Sequence, residues 1–217
     1  SPLPDSANVI SGSDTVCQAQ NGVVYTVPAI NFATGYNWTL PLGASISAGA
    51  NTSAITVDFS ASAISGFVTV TGTNSCGNGL STDSFAVVVN PLPDAAGIIS
   101  GNNTVCQNDT VSYYINPVAN ADSYTWSVPN GAAIISGNNT DSVTVAFSAS
   151  AVSGNISVNG VNACGNGIGS SLPVTVDPLP ANATAINGNT TVCAGSPSEN
   201  YFVSAIANAT GYVWILP

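Results

Sequence analysis

The chain repeats itself. PLPDSANVISGSDTVC starts at Pro2, PLPDAAGIISGNNTVC at Pro91 and PLPANATAINGNTTVC at Pro178, at spacings of 89 and 87 residues. A period of that length exceeds the roughly 20–50 residues of a solenoid unit. It is long enough for a domain with its own core. The match extends along the unit: Tyr25 to Gly66 aligns with Tyr113 to Gly154, and TNSCGNG ending at Gly79 aligns with VNACGNG ending at Gly167. The third copy reaches only YVWILP, the counterpart of YNWTLP and YTWSVP. The expected domains are therefore 1–90, 91–177 and the amino-terminal part of a third over 178–217. This reads as a window on a longer polypeptide, and the absence of a leader at Ser1 fits an internal or processed start. The alternative is a half-domain completed by a strand from another molecule, but the amino end opens on a full unit with no strand to spare.

Composition narrows the class. The 217 residues contain no Lys, Arg, His or Met, against ten carboxylates, while 45% are apolar. That apolar share supports packed cores and argues against disorder. With no side-chain cation there is no side-chain salt bridge. The electrostatic route to nucleic acid, which needs Lys and Arg against phosphates, is closed, and so is attraction to anionic lipid. No apolar run approaches the ~20 residues of a membrane-spanning helix, so direct membrane insertion is not expected.

Short β-branched and aromatic segments, bounded by Gly, Asn, Ser and Pro, read as strands: GVVYTVPAI, GYNWTL, SAITVDFS, GFVTVTGTN and DSFAVVVN in the first unit. Ile55, Val57 and Phe59 alternate with Thr56, Asp58 and Ser60, the period of a half-buried strand. Helix formers are scarce. About seven strands per unit, with turns at short intervals, give an all-β chain of tandem antiparallel β-sandwiches, the last one truncated.

Five cysteines follow the repeat: Cys17 and Cys76 in the first unit, Cys106 and Cys164 in the second, Cys193 in the third. One pair per unit predicts intradomain disulfides Cys17–Cys76 and Cys106–Cys164, with the partner of Cys193 beyond Pro217. Closing a loop of that size stabilises by about 4 kcal/mol in the chain-entropy model. Two thiolates without His or C-x-x-C do not make a tetrahedral metal site, and no His or Lys is present to activate a thiol.

Tyr36 and Trp38, Tyr124 and Trp126, and Tyr212 and Trp214 recur two residues apart, which places each pair on one face of a strand. A sandwich core is the expected role; a carbohydrate-stacking platform is the competing one.

Catalysis is not expected. Asp58 becomes Ala146 in the second unit and Asp14 becomes Asn103, so no carboxylate pair repeats with the fold. Cofactors are not expected either. A minority reading sets calcium near the linkers, at Asp5, Asp94 and Asp177. It is set against the number of oxygens calcium requires and the Ala181 that replaces Asp in the third unit.

Y-x-W-x-x-P-x-G-A, at Tyr36 to Ala44 and Tyr124 to Ala132, resembles the Y-x-W-x-F-G-D-G region of PKD domains. Taken with the ITVDFS strand, the N-x-CGNG turn and the PLP linker, each unit is similar to the PKD-like, immunoglobulin-like repeats of secreted Bacteroidota surface proteins. The Gly-Asp-Gly of PKD domains is replaced by Pro-x-Gly-Ala. The Cys17–Trp38 interval of 21 residues is long for an antibody-type domain. The disulfide is therefore expected to tie the segment before strand B to the turn after strand F. Repeats of this kind are typical of large type IX secretion substrates, including gliding-motility adhesins. The resemblance implies an extracellular, cell-surface stalk or adhesin filament stiffened by the linker prolines Pro2 and Pro4, Pro91 and Pro93, and Pro178 and Pro180. Its implied partners are neighbouring repeats of the same chain and surface polysaccharide or outer-membrane anchoring proteins. It also implies O-glycosylation at Asp-Ser/Thr-aliphatic triplets, with acceptors at Ser6, Thr15, Thr110 and Ser142. The Asn-x-Ser/Thr sequons at Asn37 and Asn51 carry little weight in an Asn- and Thr-rich chain. A glycan- or partner-binding module is the second class of function.

A chain without Lys or Arg offers a trypsin-like protease no site, folded or unfolded, which suits a life among extracellular proteases. The denatured protein is expected to survive pure trypsin intact by mass spectrometry; an internal cut refutes this.

Overall fold

The computed structural model describes residues Pro2–Leu216, and among them every regular element is a strand. The expected bounds at residues 1 and 217 lie outside the described residues. In the first repeat the strands are β1 (Thr15–Cys17), β2 (Val23–Thr26), β3 (Gly35–Thr39), β4 (Ala44–Ala48), β5 (Ala54–Phe59), β6 (Gly66–Asn74), β7 (Gly77–Asn78) and β8 (Phe85–Asn90). The second repeat gives β9 (Thr104–Cys106), β10 (Thr110–Tyr114), β11 (Ser123–Ser127), β12 (Ala132–Ser136), β13 (Ser142–Phe147), β14 (Gly154–Asn162), β15 (Gly165–Asn166) and β16 (Ser170–Asp177).

Each complete repeat is a pair of sheets. One has the order β1-β8-β6-β3 with β7 on β6, and the other β2-β5-β4; the second repeat reproduces them as β9-β16-β14-β11 with β15, and β10-β13-β12. β2 and β4 pair antiparallel with β5, β3, β7 and β8 with β6, β10 and β12 with β13, and β15 and β16 with β14, whereas β1 with β8 and β9 with β16 run parallel. That exception sets the site described below. It carries Cys17 beside Asn90 and Cys106 beside Asp177, at the ends of the last strands.

The strand alternation builds the core. In β5, Ile55, Val57 and Phe59 are buried while Thr56 and Asp58 are half-exposed. They meet Val68 and Val70 of β6, Val87 and Val89 of β8, Tyr25 and Trp38. In the second repeat Val143, Val145 and Phe147 of β13 are buried, as are Ile156 and Val158 of β14. Phe67, by contrast, faces out, so the inner face of β6 is the Val68–Val70 face.

Tyr25 and Tyr113 lock the first loop of each complete repeat to its core. Both are fully buried, and their hydroxyls donate to Ser13 O at 3.0 Å and Asn102 O at 2.8 Å. The third repeat starts in the same way: Tyr201 Oη donates to Asn189 O at 2.8 Å, and Asn187 bridges Phe202 as Ser11 bridges Thr26.

The described chain falls into two compact units. One comprises Ser1–Ala95, Val118–Ser123 and Gly160–Ile168; the other comprises Ala96–Pro117, Tyr124–Asn159 and Gly169–Pro217. The first therefore holds the whole first repeat, the first linker, and two loops that come from the second repeat in sequence.

Burial, and after it the charge of Asp14, pushes the Tyr25 hydroxyl up to about 12. Its folded value lies above the ordinary ~10 of an unfolded chain. The stabilisation is complete below pH 10 and is lost as pH rises from 10 through 12. Tyr25→Phe is expected to blunt the loss of stability across that window, measured by denaturant melts at pH 9 to 12; an unchanged alkaline limb refutes it.

Candidate functional site

The site grows from three short sequences: the linker PLP, the strand end C-Q and the turn N-x-C-G-N-G. In the turn, one Asn side chain uses three of its hydrogen-bonding positions. Asn162 Oδ1 accepts from Cys164 N at 2.8 Å, while its Nδ2 donates to Pro91 O at 2.9 Å and Asn120 O at 2.8 Å. Asn74 does the same in the first repeat, accepting from Cys76 N and donating to Pro2 O and Phe32 O, each at 2.8 Å. Asx turns of this type suit Asn because its short amide reaches its own backbone two residues on.

Behind the turn, glycine lets the linker approach. A Cβ on Gly167 would lie 2.6 Å from Pro93 O, and one on Gly79 would lie 2.6 Å from Pro4 O. That is closer than any real Cβ contact, so these positions exclude a side chain.

The linker is gripped from its other side by glutamine. Gln18 N donates to Asn90 O at 2.9 Å, its Oε1 accepts from Leu92 N at 3.1 Å, and its Nε2 donates to Ala63 O at 3.1 Å. Pro91 O is thus held by Asn162 and Leu92 N by Gln18. These linker groups flank prolines that supply no N–H of their own.

Between the two grips lies a disulfide. Cys17 is bonded to Cys164, with their Cα atoms 5.4 Å apart and a sequence separation of 147. Cys164 Sγ also sits 3.8 Å from Asn90 O. Every one of these residues belongs to the first compact unit. Linker, glutamine, asparagine and disulfide form one clasp.

This corrects the expected pairs Cys17–Cys76 and Cys106–Cys164. Cys17 ends β1 alongside Asn90, whereas Cys76 lies in the turn past Asn74 at the far end of β6. Because β6 runs antiparallel to β8, those two ends are opposite ends of one sheet. The nine residues of β6 alone extend about 26 Å at ~3.3 Å per residue, and a disulfide needs Cα atoms within ~7 Å. Cys106 and Cys164 are separated in the same way by β14. Cys106 is free and exposed; Cys193 and Cys76 are exposed.

The other expected site residues are dispersed. Trp38 and Trp126 are buried, and their Nε1 atoms donate to Thr52 O at 2.9 Å and Thr140 O at 2.8 Å. Tyr36 and Tyr124 are half-buried. Tyr212 and Trp214 are not core residues, being 48% and 45% exposed. Residues 178–217 match only the first strands of a repeat in sequence, and among the described residues no strand follows Asp177 to cover them. The apolar hollow lined by Ile186, Val203, Ile206, Tyr212 and Trp214 is that uncovered face. Asp5 accepts from Asn31 Nδ2 at 3.0 Å and Asp94 from Asn120 Nδ2 at 3.5 Å; Asp177 is exposed. Among the described residues no three carboxylate or thiol groups converge on a metal site. Ser6, Thr15, Thr110 and Ser142 all lie at the surface.

Gln18 and Gln107 did not stand out in the sequence. Their only signal is that C-Q occurs in both complete repeats, while the third has Cys193-Ala194.

A family model described as a PKD-like domain matches residues 3–87, 92–174 and 179–217. The chain belongs to the PKD-like domain family. Solved structures that these PKD-like repeats resemble include the chicken CNTN1 FN1-FN3 domains, at 11% identity and a TM-score of 0.38, covering 87% of this chain and 72% of that one. The I67-I69 fragment of the titin I-band matches at 14% identity and a TM-score of 0.37, covering 82% and 65%. A marsupial T cell receptor matches at 13% identity and a TM-score of 0.45, covering 84% and 76%. No curated protein matches the chain. Among the described residues of this PKD-like chain no helix is long and apolar enough to cross a membrane, which says nothing of β-barrels.

Asn162→Asp puts a carboxylate against two carbonyl oxygens in place of two N–H donors. It is expected to cost ~0.5–1.5 kcal/mol, the net range for an ordinary hydrogen bond, and more than Asn162→Ala. Thermal melts of the oxidised proteins test the order; equal midpoints for the two variants refute it.

Proposed function

We propose that this chain is a structural stalk segment of a large secreted repeat adhesin or filament, held outside the cell and attached to its surface. The observation that carries the reading is the Cys17–Cys164 bond across a PLP linker between two PKD-like repeats. The asparagine and glutamine grips on the linker recur in both complete repeats. A disulfide also favours an oxidising compartment, outside the reducing cytosol. In the chain-entropy model, closing a loop of this length removes about 5 kcal/mol of unfolded-state freedom.

The resemblance to type IX-secreted repeats of Bacteroidota, among them the gliding-motility adhesin SprB, supports a role in gliding or attachment. Neighbouring repeats are the first partners of such a segment, with anchoring proteins or surface polysaccharide at the ends of the whole filament. Ser6, Thr15, Thr110 and Ser142 are exposed enough to accept O-glycans. The amides of Asn31 and Asn120 engage Asp5 and Asp94, which supports linkers set by hydrogen bonds.

A glycan-binding module is the second reading. It rests on aromatic platforms, and Trp38 and Trp126 are instead buried with their indole N–H groups engaged. Passage of the oxidised protein over immobilised polysaccharides is expected to show no retention beyond that of bare matrix. Saturable retention, competed by soluble sugar, overturns the stalk reading in favour of the binding module.

A further inference from the structure

We propose that Cys106 is the acceptor of a second clasp: when a complete PKD-like repeat follows it, Cys106 forms a disulfide with that repeat's CGNG-turn cysteine. The pairing rule is that of the first junction, in which the strand cysteine of one repeat bonds the turn cysteine of the next. It rests on the clasp and not on the stalk reading, so its failure would leave the polysaccharide experiment standing.

Everything around Cys106 copies the surroundings of Cys17. Cys17 is opposite Asn90 on a parallel strand, and Cys106 is opposite Asp177. Cys17 N donates to Gln20 Oε1 at 2.8 Å and Cys106 N to Asp109 Oδ2 at 2.7 Å, closing the same tight turn. Gln107 N donates to Asp177 O at 3.0 Å, as Gln18 N donates to Asn90 O. Gln107 Oε1 accepts from Leu179 N at 3.2 Å and its Nε2 donates to Ala151 O at 3.2 Å, reproducing the grip of Gln18 on Leu92 N and Ala63 O.

The third repeat has begun to land in the same way. Ala181 N donates to Ala207 O at 3.0 Å, as Asp94 N donates to Ala119 O at 3.0 Å. The linker, the glutamine grip and the first loop of the incoming repeat are thus in place around an exposed, free thiol. The part of the clasp that residues 178–217 do not carry is the turn with its Asn and Cys.

Bond formation is ordinary thiol–disulfide exchange with a small-molecule disulfide as oxidant. One cysteine thiolate attacks the reagent and releases one of its thiols. The second cysteine thiolate then attacks the protein sulfur of the mixed disulfide and releases the other. Two protein thiols give up two protons and two electrons, and the reagent leaves as two thiols.

The test supplies the turn. Because Tyr212–Pro217 matches Tyr124–Pro129, residues 1–217 followed by residues 130–177 complete a third repeat. After oxidation in a glutathione buffer, unreacted thiols are alkylated. The chain is then cut beside Asp and at aromatic residues, since trypsin has no sites, and disulfides are mapped by mass spectrometry. With Ala163→Ser in the appended copy to mark its peptide by mass, Cys106 is expected joined to that copy of Cys164, and Cys106→Ser leaves the copy open to alkylation; Cys106 joined to the unmarked Cys164 overturns the proposal. Recovery of Cys106 alkylated or joined to Cys193, with Cys17–Cys164 formed in the same sample, overturns the proposal. If the fusion does not form Cys17–Cys164, residues 1–177 followed by 91–177 present a complete repeat of native sequence and are read in the same way. Absence of Cys17–Cys164 from both chains overturns the pairing rule itself.

Discussion

The parallel pairing of β1 with β8 governs what the rest of the structure can do. It draws the first strand of a repeat alongside the last and delivers Cys17 and Gln18 to the place where the chain leaves the domain. An antiparallel partner in that position would have pointed those residues back along the sheet, away from the linker. From this one strand orientation follow the glutamine contact with Leu92 N, the disulfide to Cys164, and the inclusion of two second-repeat loops in the first compact unit.

A surface without cations changes how such a joint is held. Ion pairs across a junction would tune it by salt, and this chain has no Lys, Arg or His with which to make them. Neutral amides take the role instead: Asn74 and Asn162 span turn and linker, while Gln18 and Gln107 span strand end and linker. Contacts of this kind depend on geometry more than on ionic strength. That explains why the glycines of the turn carry so much of the design: Gly79 and Gly167 are what let the linker carbonyls come close.

Much of the fold was legible because strand alternation reports burial locally. Ile55, Val57 and Phe59 announce the inner face of β5 without reference to anything else in the chain, and they are buried. The same local logic placed Trp38 and Trp126 inside, but it failed for Tyr212 and Trp214, whose burial depends on strands that residues 178–217 do not include. The disulfide was illegible for a different reason. Counting two cysteines per repeat gives a pairing only if both lie at the same end of a sheet, and that depends on the length of β6 and its direction relative to β8. Gln18 escaped notice because a polar residue after a cysteine has no periodicity to betray it.

The clasp also alters what a broken backbone means for this molecule. The Cys17–Cys164 bond spans 147 residues that include the first linker and most of both complete repeats. A single peptide-bond scission anywhere within that span leaves two fragments still tethered to each other. Damage that would sever an ordinary string of domains would here leave the strand of beads continuous, and the cut ends would stay beside the partners they need to refold.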